Sequence, residues 1–262
     1  TIHYYYKLLE NSIIKRSKRV RKNIQYVFQN PDASLNPRTI IKSILSRPLS
    51  FFYNLNKIQI KEKLSSTLKS IHLGHNYLNK LPTQLSGGER QRIAIARALI
   101  SEPDLLLCDE VLSALDVSVQ ANIIDLLEKI QRDSNSSMLF ISHDLAVVKN
   151  LADRVIVIYH GQIMEAGSVK EIFSPPYHPY THSLLKAVPG MKKKEGYLNM
   201  EQDIAIDNED NLSGCPFYNR CSSRIDNLCK NIEPPIRNFD DDLKIKCHLE
   251  NSVLEKLYTN VV

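Results

Sequence analysis

A serine and two glycines, Ser86-Gly87-Gly88, run straight into Glu89-Arg90-Gln91-Arg92-Ile93-Ala94-Ile95-Ala96-Arg97-Ala98-Leu99, and this junction constrains the chain more than any other stretch. A Ser-Gly-Gly turn at the head of a helix presents backbone N–H groups and a hydroxyl to an anion, with the helix dipole behind them. A turn that merely caps a surface helix would account for the two glycines, but not for what flanks them. Leu105-Leu106-Leu107-Cys108 is a short apolar run ending on Asp109 and Glu110. That is the pattern of a buried parallel strand with its acids at the C-terminal edge, where ligands bind in open α/β sheets. Met138–Ser142 is a second such run, followed by His143-Asp144, and Ile24–Phe28 is a third, running into Gln29.

The rest of the pattern supplies the frame. From Pro31 to about Pro82 the spacing is helical, with Ile58, Leu64, Leu68, Ile71 and Leu73 assigned to one buried face and Asn36-Pro37 and Leu81-Pro82 punctuating the ends. Residues 104–165 return to strand–helix alternation, which implies a parallel sheet with right-handed crossovers. Ile123, Ile124, Leu126, Leu127 and Ile130 form the apolar face of a helix from Val117 to about Gln131. Ile156–Tyr159, His160-Gly161 and Gln162–Glu165 read as strand, tight turn and strand. Residues 190–213 read as a linker.

In this order and at these spacings the segments resemble the ATPase subunits of ABC transporters. The expected fold is an α/β domain of P-loop NTPase type over residues 1–189, with a parallel sheet core and a helical subdomain at about 31–84. A small Cys-rich extension would follow at 214–262. The resemblance implies that Ser86, Gly87, Gly88 and Glu89 are the signature motif, acting on nucleotide held by a partner. It makes Asp109 and Gln29 the Mg²⁺ residues, Glu110 the base for the attacking water, His143 the switch histidine and Asp116 the D-loop acid. Phe28–Arg38, Ser113–Gln120 and the run Ser174-Pro175-Pro176-Tyr177-His178-Pro179-Tyr180-Thr181 narrow the resemblance to importers of oligopeptides and dipeptides. It covers residues 20–250. Implied with it are ATP and Mg²⁺, a second and different ATPase subunit as heterodimer partner, two transmembrane permease subunits and, indirectly, an extracytoplasmic solute-binding protein. The place of action is the cytoplasmic face of a bacterial membrane. Cargo stays open among peptides, nickel and glutathione.

One part of that machine is missing. Phosphate binding by a P-loop needs G-x-x-x-x-G-K-[ST], and none of the eight glycines is followed by lysine. The reading from sequence is a longer ATPase seen without its P-loop; the alternative is a naturally shortened, non-catalytic subunit that supplies only its signature motif to a partner.

No apolar run approaches the ~20 residues a membrane helix needs. The net charge of +5 is mild. The basic run from Lys15 to Lys22 carries no interleaved aromatics and reads as a solvated helix rather than a nucleic-acid platform. Among the five cysteines, Cys108 reads as a small core residue, whereas Cys215, Cys221, Cys229 and Cys247 cluster near the end with gaps of five, seven and seventeen residues. Such gaps are wider than usual zinc pairs, and a [4Fe–4S] cluster tolerates them. A cluster is the first expectation, zinc the alternative, and unligated or redox-active thiols the remainder.

Overall fold

The computed structural model describes residues 17–113, 115, 117–133, 136–188, 213–239 and 242–257. Asp116 and all but the last residue of the expected linker lie outside these. The chain divides into two compact units between His143 and Asp144.

In the first unit α1 (Lys18–Asn23) leads into β1 (Ile24–Val27), then α2 (Pro31–Ser34), α3 (Ile41–Phe52), α4 (Lys57–Ser70), α5 (Gly87–Leu99), β2 (Leu105–Asp109), α6 (Val117–Asp133) and β3 (Ser137–Ile141). The three strands pair in parallel in the order β1-β2-β3. Val27 stands opposite Cys108 and Cys108 opposite Phe140. Leu106 and Cys108 are fully buried, so Cys108 is the core residue its position suggested. Helix α3 buries Ile41, Ile44, Leu45 and Leu49, one stripe at helical spacing. Helix α4 opens on a capping box: the Asn56 side chain accepts from the Gln59 N–H at 3.0 Å, and the Gln59 side chain accepts from the Asn56 N–H at 2.9 Å. It buries Leu64 and Leu68. Ile58, expected on the same face, is 70% exposed. Six residues before Leu64 amounts to about 600° of helical rotation, which turns Ile58 roughly a third of a turn off the stripe.

Helix α1 is the expected solvated basic helix, but it meets aromatics from elsewhere in the sequence. Lys18 and Arg21 lie 5.7 and 5.4 Å from the ring centre of Phe51, and Lys22 lies 4.6 Å from that of Tyr53.

The second unit contains α7 (Leu145–Leu151), β4 (Arg154–Tyr159), β5 (Gln162–Ser168), α8 (Val169–Ile172), α9 (Pro179–Ala187), α10 (Asp226–Asn231), β6 (Ile236–Asn238), β7 (Lys244–Lys246) and α11 (Asn251–Leu257). Strands β4 and β5 form the expected hairpin. His160 and Gly161 take φ of 46° and 75°, the pair of left-handed residues that a two-residue turn needs to match strand twist. β4 is therefore antiparallel to its neighbour and stands in a different sheet from β3. This second sheet has the order β4-β5-β7-β6, with every pair antiparallel. Ile245 of β7 pairs with Glu165 of β5, so the Cys-rich extension is woven into the sheet that the hairpin begins rather than standing apart from it. One core beneath it gathers Val155, Val157, Phe173, Tyr177, Leu185, Ile245 and Leu254. A second gathers Tyr159, Met164 and Phe217 with three of the cysteines.

Candidate functional site

The ends of β1, β2 and β3 bring three of the expected catalytic residues together. Gln29 follows β1, Glu110 follows β2 and His143 follows β3 by two residues. The Gln29 carboxamide donates to Glu110 Oε2 at 2.5 Å, and His143 Nδ1 lies 3.2 Å from Glu110 Oε1. Both oxygens of one carboxylate are thus engaged, each from a different strand end. The backbone fixes the acid as well. Glu110 has φ of 44°, a conformation unusual for a side chain with a Cβ and found where a structure enforces it. Its N–H donates to the Ile141 carbonyl at 3.0 Å, and its own carbonyl accepts from the Ser113 N–H and hydroxyl at 3.1 and 2.9 Å.

Asp109, one residue earlier, has a partner that the sequence did not single out. Tyr26 on β1 donates its hydroxyl to Asp109 Oδ2. Tyr26 pairs with Leu107, and side chains two apart on a strand share a face, so Tyr26 and Asp109 are diagonal neighbours within an aromatic's reach. The bond to Asp109 raises the Tyr26 phenol above its ordinary value and keeps it a donor. Strand β1 and the turn that follows it therefore supply a donor to each of the two consecutive acids, Tyr26 to Asp109 and Gln29 to Glu110. The aromatic was visible in sequence, but its partner depends on a strand register that no motif encodes.

Ser86 caps α5. Its hydroxyl accepts from the Glu89 N–H at 3.3 Å, and the Glu89 carboxylate accepts from the Ser86 N–H at 2.8 Å. Tyr77 donates to the other Glu89 oxygen at 2.5 Å. These bonds, Tyr77 first, hold the Glu89 carboxyl below its ordinary range. Glu89 is thereby a local partner of the cap. The two glycines differ: a Cβ on Gly88 would sit 2.3 Å from Val119 Cγ1, whereas a Cβ on Gly87 would meet nothing within 4 Å. Gly88 permits the approach of α6, and Gly87 leaves backbone open to an approaching group. Two arginines tie α5 to α2, Arg90 by an ion pair with Asp32 at 2.6 Å and Arg97 by donating to the Ser34 carbonyl. Among the described residues no hydrogen bond joins Ser86, Gly87 or Gly88 to Asp109, Glu110 or His143.

In the second unit the four clustered cysteines converge as reduced thiols, each 7–8% exposed. The Cys229 sulfur accepts from the Ile225 N–H at 3.3 Å. The backbone N–H groups of Phe217, Ser223 and Leu249 partly offset the burial that raises Cys215, Cys221 and Cys247. Gly214 makes the convergence possible, since a Cβ there would stand 2.3 Å from the Cys229 carbonyl oxygen, where Cys215 N–H already donates at 2.8 Å. Burial raises the thiols of Cys215, of Cys221 to about 11 and of Cys247 to about 12, so unaided these three stay protonated. No group of three or more His, Cys, Asp or Glu among the described residues is set to hold a metal ion as it stands.

Next to the thiols lies a buried polar group built on the Pro-rich segment. Glu165 is wholly buried, and desolvation pushes its carboxyl up to about 8. Its Oε2 accepts from the His178 N–H at 2.9 Å. His178 is 1% exposed. Its Nδ1 accepts from the Tyr180 N–H at 3.0 Å, capping α9. Burial drives its imidazole down to about 3, so it is neutral.

Residues 2–113 match the family described as ABC transporter, and residues 164–229 match the family described as oligopeptide/dipeptide transporter, C-terminal region. The chain is 40% identical over 246 residues to the oligopeptide transport ATP-binding protein OppF of Haemophilus influenzae, covering 92% of this chain and 74% of that one. It is 41% identical to the oligopeptide transport ATP-binding protein AppF of Bacillus subtilis, with 90% and 72% covered. It is also 41% identical to the dipeptide transport ATP-binding protein DppF of Haemophilus influenzae, with 93% and 75% covered. Among solved structures, a dimeric ATP-binding cassette in a post-hydrolysis state with ADP and Pi is similar at 29% identity and a TM-score of 0.52, over 58% of this chain and 66% of that one.

Proposed function

This chain belongs to the ABC transporter ATPases, among the ATP-binding subunits of oligopeptide and dipeptide importers, and from that premise we propose how its residues serve ATP-driven peptide import. Importer ATPases of this family work as dimers on transmembrane permeases, peripheral to the membrane. No helix among the described residues is long and apolar enough to cross one. For this chain we infer a related but different ATPase as its dimer partner, two permease subunits, and a solute-binding protein that delivers cargo from outside. The assembly would stand at the cytoplasmic face of a bacterial membrane.

Glu110 is the general base. With Gln29 on one oxygen and His143 on the other, its carboxylate is oriented to polarise water, and phosphoryl transfer depends mostly on such positioning and electrostatics. Asp109 offers carboxylate oxygen, and Gln29, its nitrogen engaged with Glu110, offers carboxamide oxygen; both suit a hard cation such as Mg²⁺. When bound, Mg–ATP supplies the phosphoryl group and the metal's counter-charge. His143, 73% exposed, is free to turn toward the terminal phosphate. Ser86, Gly87 and Gly88 would complete the partner's nucleotide site, with the open face of Gly87 as the point of approach. The grip on both Glu110 oxygens carries this reading. In the assembled transporter, Glu110→Gln should abolish ATP turnover while ATP binding persists; undiminished hydrolysis would remove Glu110 from the role of base.

The four buried thiols cluster in one small region, and on their number and clustering we assign them to a [4Fe–4S] cluster with a structural role, which would have to draw them together on binding. Such a cluster would cross-link the segments carrying Cys215, Cys221, Cys229 and Cys247, as small cores often require. Anaerobic purification should give brown protein with about four iron per chain. A colourless, zinc-loaded preparation would replace the cluster by zinc.

A further inference from the structure

The first N–H groups of a helix have no partner in its own ladder. In α5 the ladder starts at Arg90, whose N–H donates to the Ser86 carbonyl at 2.9 Å. Of the donors before it, the Ser86 N–H is taken by Glu89 Oε2 and the Glu89 N–H by the Ser86 hydroxyl oxygen. The N–H groups of Gly87 and Gly88 remain, and no hydrogen bond among the described residues occupies them. The Ser86 hydroxyl, while accepting from Glu89, keeps its own proton to give. Neighbouring donors are thus presented to an anion, and the acid of the first turn, Glu89, stands among them. A carboxylate that swung toward the glycines would compete for those donors and repel a phosphate.

The Ser86 N–H holds only one of the Glu89 oxygens, and a carboxylate gripped at one oxygen can still rotate. The second grip comes from outside the helix. Tyr77 donates its hydroxyl to Glu89 Oε1 at 2.5 Å. It sits in a one-turn 3-10 segment, His75–Asn79, beside the buried Leu78. The segment is tied at both ends: the Tyr77 N–H donates to the Gly74 carbonyl at 3.1 Å, and the Tyr77 carbonyl accepts from the Lys80 N–H at 3.0 Å. The Lys80 carbonyl in turn accepts from the Ile41 N–H, at the start of α3, at 3.0 Å. The Lys80 ammonium lies 3.9 Å from the Tyr77 ring centre, so the side of the turn that holds the carboxylate also carries a positive charge.

We propose that Tyr77 is a positioning residue for the signature motif: by holding Glu89 Oε1 it keeps the carboxylate turned to the Ser86 N–H, and so leaves the Gly87 and Gly88 N–H groups and the Ser86 hydroxyl to the terminal phosphate of nucleotide on the partner subunit. This rests on the reading of Ser86, Gly87 and Gly88 as the motif that completes the partner's nucleotide site.

The test separates a misplaced charge from a loosened fold. Two constants are measured on the assembled transporter: the ATP concentration that half-saturates hydrolysis, and the inhibition constant of ADP, which lacks the terminal phosphate. Tyr77→Phe removes only the hydroxyl. It should raise the first constant about fivefold, in the range for a hydrogen bond that water can partly replace, and leave ADP inhibition unchanged. Made in a Glu89→Gln background, the same change should move the ATP constant by less than about twofold, because a carboxamide still accepts from the Ser86 N–H and carries no charge to misplace. An unaltered ATP constant in Tyr77→Phe overturns the proposal. So does an equal loss for ATP and ADP, or a loss as large in the Glu89→Gln background, since either marks a structural role. Gly87→Asp tests the underlying reading separately, because a Cβ there meets nothing within 4 Å and the new charge falls on the same donors. If Gly87→Asp leaves the ATP constant unaltered, the reading of the motif fails and the proposal with it. If Gly87→Asp raises that constant and Tyr77→Phe does not, the motif stands and Tyr77 alone loses its role.

Discussion

Glu110 and His178 each collect partners from three or more segments, under opposite conditions. Around Glu110 the bonds join side chain to side chain, and the participants are open to water, Glu110 31% and His143 73% exposed. Around His178 each bond is donated by a backbone N–H, its own to Glu165 and that of Tyr180 to its ring, and the residue is 1% exposed. Water competes for every bond at the first place, and exposed charged contacts are each worth at most about 1 kcal/mol. At the second, breaking a bond strands a buried group at a cost of about 1–3 kcal/mol. The first arrangement suits residues that must exchange partners during a reaction cycle. The second suits a joint that must not move.

The strongest way to break that contrast is to force the buried side apart. A Cβ on Gly214 would meet the Cys229 carbonyl oxygen at 2.3 Å and the Lys230 carbonyl carbon and oxygen at 2.6 Å. All three are backbone atoms, so no rotamer relieves the clash. Gly214→Ala should cost about 3 kcal/mol, the upper part of the overpacking range, and remove metal from the thiol site, measured as chelator-resistant metal per chain together with thermal unfolding. A variant with native metal content would show that the cysteine loop can be rebuilt and that the joint is softer than its burial implies.

A smaller effect comes from protons. Folding raises Glu165 from 4.5 to about 8 and lowers His178 and His182 from 6.5 to about 3 and about 4. Between pH 6.5 and 8 the folded state holds one more proton, on Glu165, than the unfolded state, so stability falls as pH rises. Between 4.5 and 6.5 the unfolded state holds two on the histidines against one on Glu165 in the folded state, so stability rises with pH. These groups alone place the optimum of the second unit near pH 6.5. Glu165→Gln removes the alkaline limb. The difference in stability between the two proteins should shift in favour of the variant by about 2 kcal/mol from pH 6.5 to 8.5, read from thermal unfolding at both values. Parallel curves would mean that Glu165 is ionised in the folded protein.

How much of each region could be read from sequence follows the same division. Gln29, Glu110 and His143 were legible because each ends an apolar run at a fixed place in the order, and a parallel sheet brings such ends to one edge. Tyr26 was not, because its use depends on β1 and β2 pairing in one register. The four cysteines were legible as a cluster by type alone. That their tail would add β7 to β5 was not, since Lys244-Ile245-Lys246 is too short a strand to carry a pattern of its own. Ile58 was misplaced because apolar identity was counted without its angle around the helix.

The least expected effect falls at the exposed site. Tyr26→Phe keeps the ring and its contact with Phe28, 4.5 Å between centres, and deletes only the donor to Asp109. If Asp109 serves Mg²⁺, the loss frees one carboxylate oxygen and lets the acid rotate. The bond is open to water, so a cost of about 1 kcal/mol is expected, roughly fivefold in the Mg²⁺ concentration that half-saturates ATP hydrolysis. Turnover at saturating Mg²⁺ should stay near that of the unaltered protein, because Glu110 keeps both of its own partners. A fall in saturated turnover instead, with the Mg²⁺ requirement unchanged, would move Tyr26 from the metal side of the site to the side of the base. Strand β1 would then act on Glu110 twice, and the two acids would no longer be positioned independently.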